Sequence, residues 1–365
     1  MTNQAHTKRK LGKPRVWGIG LTALDVILEQ DSPHSRVAAG GTCGNVMSIL
    51  AYFGWHATAL ARLAHDAAGT ALISDLQRWG VNTSATHLRP QAKTPIIVEK
   101  IRKDSSGVPF HTFSFHCPAC GGRLPHFQPV VSAAVGPFLE KNQHVDVVFA
   151  DRVSRSALQL AEAGAKKEAV IFFEPSASSN PKQLAEMLQI AHIVKCSHDR
   201  VEDTGDLEWG PNTVLQIQTM GRGGLQFRTS LDGRHRAIWR TVPAVPVTNL
   251  KDAAGAGDWL SAALINSLCF GGTTHLKKRT FEQLVQALSL GQALAAWNCS
   301  YSGARGSMYS LSSRQFWKIV KHLQKGKTAK PVSEATHVPE LFEGPHSICG
   351  LCQPNRADAS NNFAA

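Results

Sequence analysis

The sequence predicts an α/β protein wound around a central, mostly parallel sheet, and three observations carry that expectation. Short apolar runs of the type buried in parallel strands recur at residues 145–150 (VDVVFA) and 169–174 (AVIFFE), and 191–195 and 213–219 continue the series. A helical stretch at 154–164 separates the first two, and alternation of strand and helix over this length implies βαβ winding. Finally, Gly255-Ala256-Gly257-Asp258 precedes the apolar run 259–270, which puts a turn of small residues at the mouth of a predicted helix.

The remaining elements follow in order. Residues 1–14 are a basic tail, expected to be disordered. Residues 16–28 read as a buried first strand and a turn, with Asp25 at the strand's exit, where wound sheets gather ligands. Residues 45–53 have helical periodicity and stop at Gly54; a strand at 57–62 follows, and then a helix from Asp66 to Trp79 that Gly80 closes. Residues 94–115 alternate apolar and polar about the turn Ser105-Ser106-Gly107, so they predict a hairpin. A strong amphipathic helix is expected at 281–299 and a last one at 316–323. From Lys325 the composition shifts to Pro, Ser, Thr and Lys, which reads as a linker, and residues 353–365 read as a disordered tail. No internal repeat is evident.

Composition narrows the class. A chain of 365 residues that is 43% hydrophobic and 18% charged can bury a large core. No apolar run reaches the length of a membrane span and residues 1–15 lack the core of a signal peptide, so no membrane association and a cytoplasmic location are expected. Eight unevenly spaced cysteines do not make a disulfide scaffold. The formal charge of +12 is the outlier. Lys8-Arg9-Lys10, Lys277-Lys278-Arg279 and the segment 318–330 supply part of it, either as solvated surface or for an anionic nucleotide or phosphorylated substrate. No aromatic platform or nucleic-acid motif accompanies these charges, so nucleic acid is not the expected partner.

The chemistry is expected at residues 252–258. Amides of Ala254, Gly255, Ala256 and Gly257 at a helix mouth form a nest for an anion, and the helix dipole adds partial positive charge. Asp258 at its edge suits a general base that takes a proton from an attacking hydroxyl while the amides hold the transferring group, which fits phosphoryl transfer. An ordinary glycine-rich turn with Asp258 as N-cap is the alternative.

From about residue 16 to residue 313 the chain resembles the ribokinase-like (PfkB-type) carbohydrate kinases. Asp252-Ala253-Ala254-Gly255-Ala256-Gly257-Asp258 matches their Asp-Thr-x-Gly-Ala-Gly-Asp signature except at Ala253, and Gly40-Gly41-Thr42-Cys43-Gly44-Asn45 with Gly54 resembles their N-terminal signature. The resemblance implies a three-layer sandwich at 15–324, with a small β lid from strands around 26–42 and 92–125. It also implies ATP with Mg²⁺ as donor, and a sugar, sugar derivative or nucleoside as acceptor. Asp25, Gly40, Gly41 and Asn45 fall on the family's substrate positions, and Asp258 with Gly255, Ala256 and Gly257 on its catalytic ones. Thr219, Gly221 and Gly224 resemble the family's nucleotide turn, with Asp252 on the same side. Gly303 and Ala304 resemble the turn beside the adenine pocket, although Gly303 would also serve as a helix C-cap. Lids of such kinases often pair between subunits, which implies a homodimer.

Two departures stand out. Ser197 and Arg200 occupy the positions of the Asn-x-x-Glu that accompanies Mg²⁺, with Asp199 as a substitute, and the Glu174-Pro175-Ser176 segment lacks the Arg that some keto-sugar-acid kinases carry. The first departure and the net charge favour a second reading, a non-catalytic ligand-sensing or nucleic-acid-associated protein on the same scaffold. The intact 252–258 segment disfavours it. Finally, Cys117-Pro118-Ala119-Cys120-Gly121-Gly122 looks like a zinc knuckle, and Cys349-Gly350-Leu351-Cys352 offers a second pair. Four thiolates suit a tetrahedral structural Zn²⁺. A redox dithiol, a metal shared with His116, His126 or His346, and unrelated thiols stay open, while Cys43, Cys196, Cys269 and Cys299 read as core residues.

Overall fold

A computed structural model describes residues 12–88, 92–176, 180–198, 210–231, 233, 238–247, 249–327, 329–332, 340–343 and 349–352. The chain runs β1 (Arg15–Ile19), β2 (Ala23–Glu29), β3 (His34–Gly40), α1 (Thr42–Tyr52), β4 (His56–Leu63), α2 (Ala67–Arg78), β5 (Thr86–Leu88), β6 (Ile96–Lys103) and β7 (Pro109–Ser114). It continues with α3 (Val135–Lys141), β8 (Val147–Ala150), α4 (Arg155–Ala165), β9 (Val170–Phe173), α5 (Pro181–Ile190), β10 (Ile193–Ser197), β11 (Leu215–Thr219), β12 (Leu225–Thr229) and β13 (Arg240–Val242). Helices α6 (Ala256–Leu268), α7 (Gly272–Leu276), α8 (Phe281–Asn298), α9 (Gly306–Ser310) and α10 (Ser313–Leu323), strand β14 (Glu340–Glu343) and the short turn α11 (Cys349–Cys352) complete it.

Nine strands form the central sheet in the order β13-β12-β11-β10-β9-β8-β1-β4-β5. All neighbours pair in parallel except at the β11-β12-β13 end, which is antiparallel. Every residue of β8 and β9 is buried because helices cover both faces, which is why those strands read as unbroken apolar runs. On one face Met47, Trp259, Leu288 and Phe316 belong to one core, and on the other Leu158, Leu160 and Met187 belong to a second. Phe316 lies at the centre of an aromatic cluster, 5.5 Å from Phe53 and 5.9 Å from Trp259 between ring centres.

A second, five-stranded sheet in the order β14-β3-β2-β6-β7 lies over the first. It includes the hairpin expected at 94–115 and corrects two expectations. Asp25 is not at the exit of the first strand: β1 ends at Ile19, and Asp25 is the third residue of β2, already in the second sheet. The segment read as a linker contributes β14, whose register pairs Leu341 with Arg36 and Phe342 with Ser35. Boundaries move slightly elsewhere. Ser312 and Gln315 form a capping box that starts the last helix at Ser313, and β10 begins at Ile193, just after His192, whose ring accepts from the Ile171 amide. Among the described residues, no helix is long and apolar enough to cross a membrane.

Candidate active site

The helix α6 begins on a left-handed Gly255 (φ 73°), so Gly255 is the N-cap and Asp258 lies within the first turn rather than capping it. Only glycine fits at 255, because a Cβ there would lie 2.3 Å from the Ala304 carbonyl oxygen. The nest is smaller than expected, since the Ala254 amide donates to Asp252 Oδ1 (2.9 Å) and the Ala256 amide to the Ala253 carbonyl (3.3 Å). The amides of Gly255, Gly257 and Asp258 have no hydrogen-bond partner among the described residues, which leaves a converging set of donors at the positive end of the helix. Gly255→Ala is expected to destabilise the fold by ~2 kcal/mol, the scale of a non-glycine residue forced to positive φ, read as the shift in a urea unfolding midpoint.

Asp258 is buried, and Asn45 Nδ2 donates to its Oδ2 at 2.7 Å. Burial first, and then the neighbouring Glu174 carboxylate, push its pKa well above the usual carboxylate range; the Asn45 hydrogen bond and the Lys195 charge oppose that shift. A carboxylate held this way is a stronger proton acceptor than one in water. Asn45 in turn accepts from Arg305 Nε (3.1 Å).

Asp25 faces this group from the lid. Gly40 lies directly over it, since a Cβ on Gly40 would fall 1.8 Å from Asp25 Oδ2, and the Gly41 amide hydrogen-bonds its carboxylate. Gly41 has φ 73° and presses against the Leu21 carbonyl, so both members of the Gly-Gly pair are required by close approach. Burial raises Asp25 to about 7 against the pull of Arg305 and of the Gly41 amide, and its Oδ1 has no hydrogen-bond partner among the described residues. A cavity of only about 20 Å³ remains between Asp25, Asn45 and the Gly303 to Arg305 turn, too small for a sugar, so the lid lies down on the site in this conformation. A cavity of about 920 Å³ is bordered by α8 and by Lys327 and Lys330, and none of these motif residues lines it.

The structure also places Asp252, Gly303 and Ala304 here. Asp252 turns its carboxylate toward the lid: Oδ2 accepts from the Gly303 amide (2.8 Å), and Oδ1 lies 3.0 Å from His111 Nδ1 on β7. Ala304 accepts from Trp259 Nε1 (3.1 Å) and Asn298 Nδ2 (3.0 Å), and Gly303 packs under Ile27 of β2. Helix α8 ends at Asn298 with Cys299 as its cap, so Gly303 is not a helix C-cap. Thr219, Gly221 and Gly224 are grouped separately at the carboxyl end of β11, where Gly224 (φ 89°) packs on the backbone of Val242 to Ala244. Ser197 ends β10 beside Thr219, whereas Asp199 and Arg200 lie outside the described residues.

Several participants were not singled out by sequence. Lys195, in the middle of β10, and Glu174, the residue after β9, form a buried ion pair of 2.6 Å, and Ser261 Oγ also donates to Glu174 (2.7 Å). A Cβ on Gly257 would lie 3.3 Å from Lys195 Nζ, so this pair forms the floor of the nest. Arg305 is buried and donates to Asp75 Oδ2 (2.8 Å) and to the Ala39 carbonyl, while Tyr309 completes the group by donating to Asp75 (2.8 Å). On the lid, Glu99 is pushed up to about 10 by burial and then by the neighbouring Asp252 and Asp25 carboxylates. Burial alone would raise Asp252, but hydrogen bonds from His111, Glu99 and the Ala254 amide hold it below the usual range. A carboxylate facing a histidine or a lysine across the fold leaves no local spacing signal.

A wound sheet with a helix-mouth turn of unpartnered amides at its carboxyl edge, covered by a second sheet that brings its own carboxylates, defines a ribokinase-like α/β protein. The sequence pattern of the pfkB family of carbohydrate kinases matches residues 13–310, and the chain belongs to that family. No curated protein matches the chain significantly. Among solved structures, it is similar to aminoimidazole riboside kinase from Salmonella enterica complexed with aminoimidazole riboside and an ATP analogue (TM-score 0.61, 19% identity, 84% of this chain and 99% of that one). It is also similar to Burkholderia thailandensis nucleoside kinase in complex with inosine (TM-score 0.58, 16% identity, 87% and 99%). Fructokinase with bound ATP from Xylella fastidiosa is a third such structure (TM-score 0.59, 19% identity, 80% and 93%). At these identities the likeness is one of fold.

Proposed function

We propose that the protein transfers the γ-phosphate of ATP to a hydroxyl of a sugar, sugar derivative or nucleoside. The observation that carries this reading is the buried Asp258 carboxylate on the first turn of α6, held by Asn45 beside three unpartnered amides. Asp258 takes the proton of the acceptor hydroxyl as that oxygen attacks. The amides of Gly255, Gly257 and Asp258 receive the charge of the transferring group, and Lys195 beneath Gly257 adds a fixed positive charge. Asp25, with its unpartnered oxygen, Asn45 and the Gly40-Gly41 backbone orient the acceptor. The Thr219 to Gly224 turn lies against the nucleotide. Mg²⁺, when bound with ATP, neutralises the polyphosphate; Glu174 is the carboxylate beside the nest that would hold it through its hydration shell. The lid excludes water that would compete with the acceptor.

Two features support pairing of two copies through the lid. Strand β7 is one of the two edge strands of the second sheet, and it and the next residue expose Phe110, Phe113 and Phe115. The opposite edge strand is the four-residue β14.

Measuring ADP release with ATP·Mg²⁺ against a panel of sugars, sugar phosphates and nucleosides tests the reading; no acceptor-dependent release from any member would refute it. With the best acceptor, kcat/KM is expected to rise as pH increases through about 7, because Asp25 must lose its proton to accept hydrogen bonds from hydroxyls. The sign for stability is opposite. The folded chain retains a proton that the unfolded chain releases near 4, so Asp25 costs stability as pH rises from about 4 to about 7.

A further inference from the structure

The kinase reading makes no use of the cysteine pairs, and the structure brings three of their members together from distant parts of the chain. Cys117, Cys120 and Cys349 offer sulfurs that all lie within 4.8 Å of one another. The first two sit on a tight turn that continues the end of β7. The Gly121 amide donates to the Cys117 carbonyl (2.9 Å), the Cys117 amide to the Gly122 carbonyl (2.8 Å), and Gly121 takes φ 69°. Cys349 opens α11, which packs on α2, and the sequence supplies a fourth cysteine, Cys352, one helical turn further on.

The spacing discriminates between the chemistries open to these thiols. Cys117 Sγ and Cys349 Sγ are 4.0 Å apart. A disulfide would require about 2.05 Å, whereas four sulfurs about 2.3 Å from a tetrahedral Zn²⁺ stand about 3.8 Å from each other. Neither His116 nor His126 belongs to the group of sulfurs, and His346 lies outside the described residues.

The position of the group suggests why the chain would need such a link. Strand β14 has only four residues, yet it covers the β3 edge of the lid, the same strand whose last residue, Gly40, lies over Asp25. It is reached from α10 through a stretch that is polar in sequence and contains Pro and Lys, and beyond it Leu351 is buried in the core. Ordering such a short strand at the end of a long connection costs conformational entropy, and a metal link between the tail and the lid would offset it.

We propose that Cys117, Cys120, Cys349 and Cys352 bind one structural Zn²⁺ that clamps the C-terminal strand onto the lid. The clamp ties three parts together: the end of β7, the tail carrying β14, and the α2 surface. It is independent of the kinase reading, since none of its ligands touches the nest.

The test uses the full-length chain purified without chelator. Metal analysis is expected to give one Zn²⁺ per chain, and Co²⁺-substituted protein is expected to show thiolate charge-transfer bands with tetrahedral d–d absorption. Cys117→Ser and Cys349→Ser should lower the zinc content at least tenfold, with Cys269→Ala retaining it. Should the serine variants not fold, titrating the wild-type thiols with a mercurial reagent in the presence of a zinc-sensitive dye should release one Zn²⁺ per chain. On zinc removal, hydrogen exchange at residues 340–343 and 34–37 should accelerate at least tenfold while 256–268 stays unchanged. A chain without stoichiometric zinc or the Co²⁺ signature, or one in which mass mapping under non-reducing conditions finds Cys117 joined to Cys349, overturns the site. Exchange at 340–343 that does not respond to zinc removal overturns the clamp.

Discussion

Replacing Asp258 with Asn is expected to lower kcat by about 10²- to 10⁴-fold, the range attached to a positioned general base, while changing ATP affinity by less than about threefold. The asparagine keeps the volume of the carboxylate but not its ability to take a proton. The three free amides come from the backbone of residues 255–258 and do not depend on the side chain, so phosphate binding should survive. Asn45 Nδ2 now faces either an amide oxygen or an amide nitrogen, and only the first preserves its hydrogen bond. Part of the loss therefore arises from misorientation of Asn45. Pre-steady-state kinetics separates the effects: a missing burst with unchanged ATP binding locates the defect in the chemical step. A variant that keeps wild-type turnover removes Asp258 from the role of base.

Removing Arg305 is expected to have the largest effect on stability. Arg305→Leu should cost about 3–5 kcal/mol, the amount associated with deleting one partner of a buried ion pair, measured as the change in unfolding free energy in urea. The side chain touches Asp75, the Ala39 carbonyl, Asn45 and Tyr309, so its loss leaves the Asp75 carboxylate buried with only the Tyr309 hydroxyl, the Ala39 amide and the partly exposed Arg78 beside it. The network also joins three elements that must agree for the site to form: the end of β3, α2 and the turn before α9. Turnover should fall as well, since Asn45 loses the group that orients its amide toward Asp258. Combining Arg305→Leu with Asp75→Leu should recover much of the stability, because no uncompensated charge is then buried. A double variant no more stable than the single one would show that the cost lies in packing rather than charge.

How far the sequence could be read depended on the range over which each feature is encoded. The βαβ series is local: β8 and β9 are buried along their whole length, so their composition announces them. The nest is local too, because a helix start, a left-handed glycine and an acidic first turn all fall within residues 255–258. The Gly40-Gly41 pair was legible as a motif, but its reason, a carboxylate from another strand lying against Gly40, was not. Lys195 and Glu174 looked like strand-end residues of unspecified role, and their pairing beneath Gly257 depends on the order of β9 and β10 in the sheet. Strand β14 was misread as linker because a four-residue edge strand has too little pattern to stand out from a polar stretch.

By itself the sequence determined the fold class, the family signatures and the glycine turn that opens α6, because these depend on residues close together in the chain and on the periodicity of buried side chains. Only the tertiary structure decided which lid residues meet the nest, which buried charges neutralise each other, and that the terminal cysteines converge. Those contacts join residues far apart in sequence, such as Asn45 with Asp258 and Cys117 with Cys349, and their energies depend on burial that exists only once the two sheets have closed on each other.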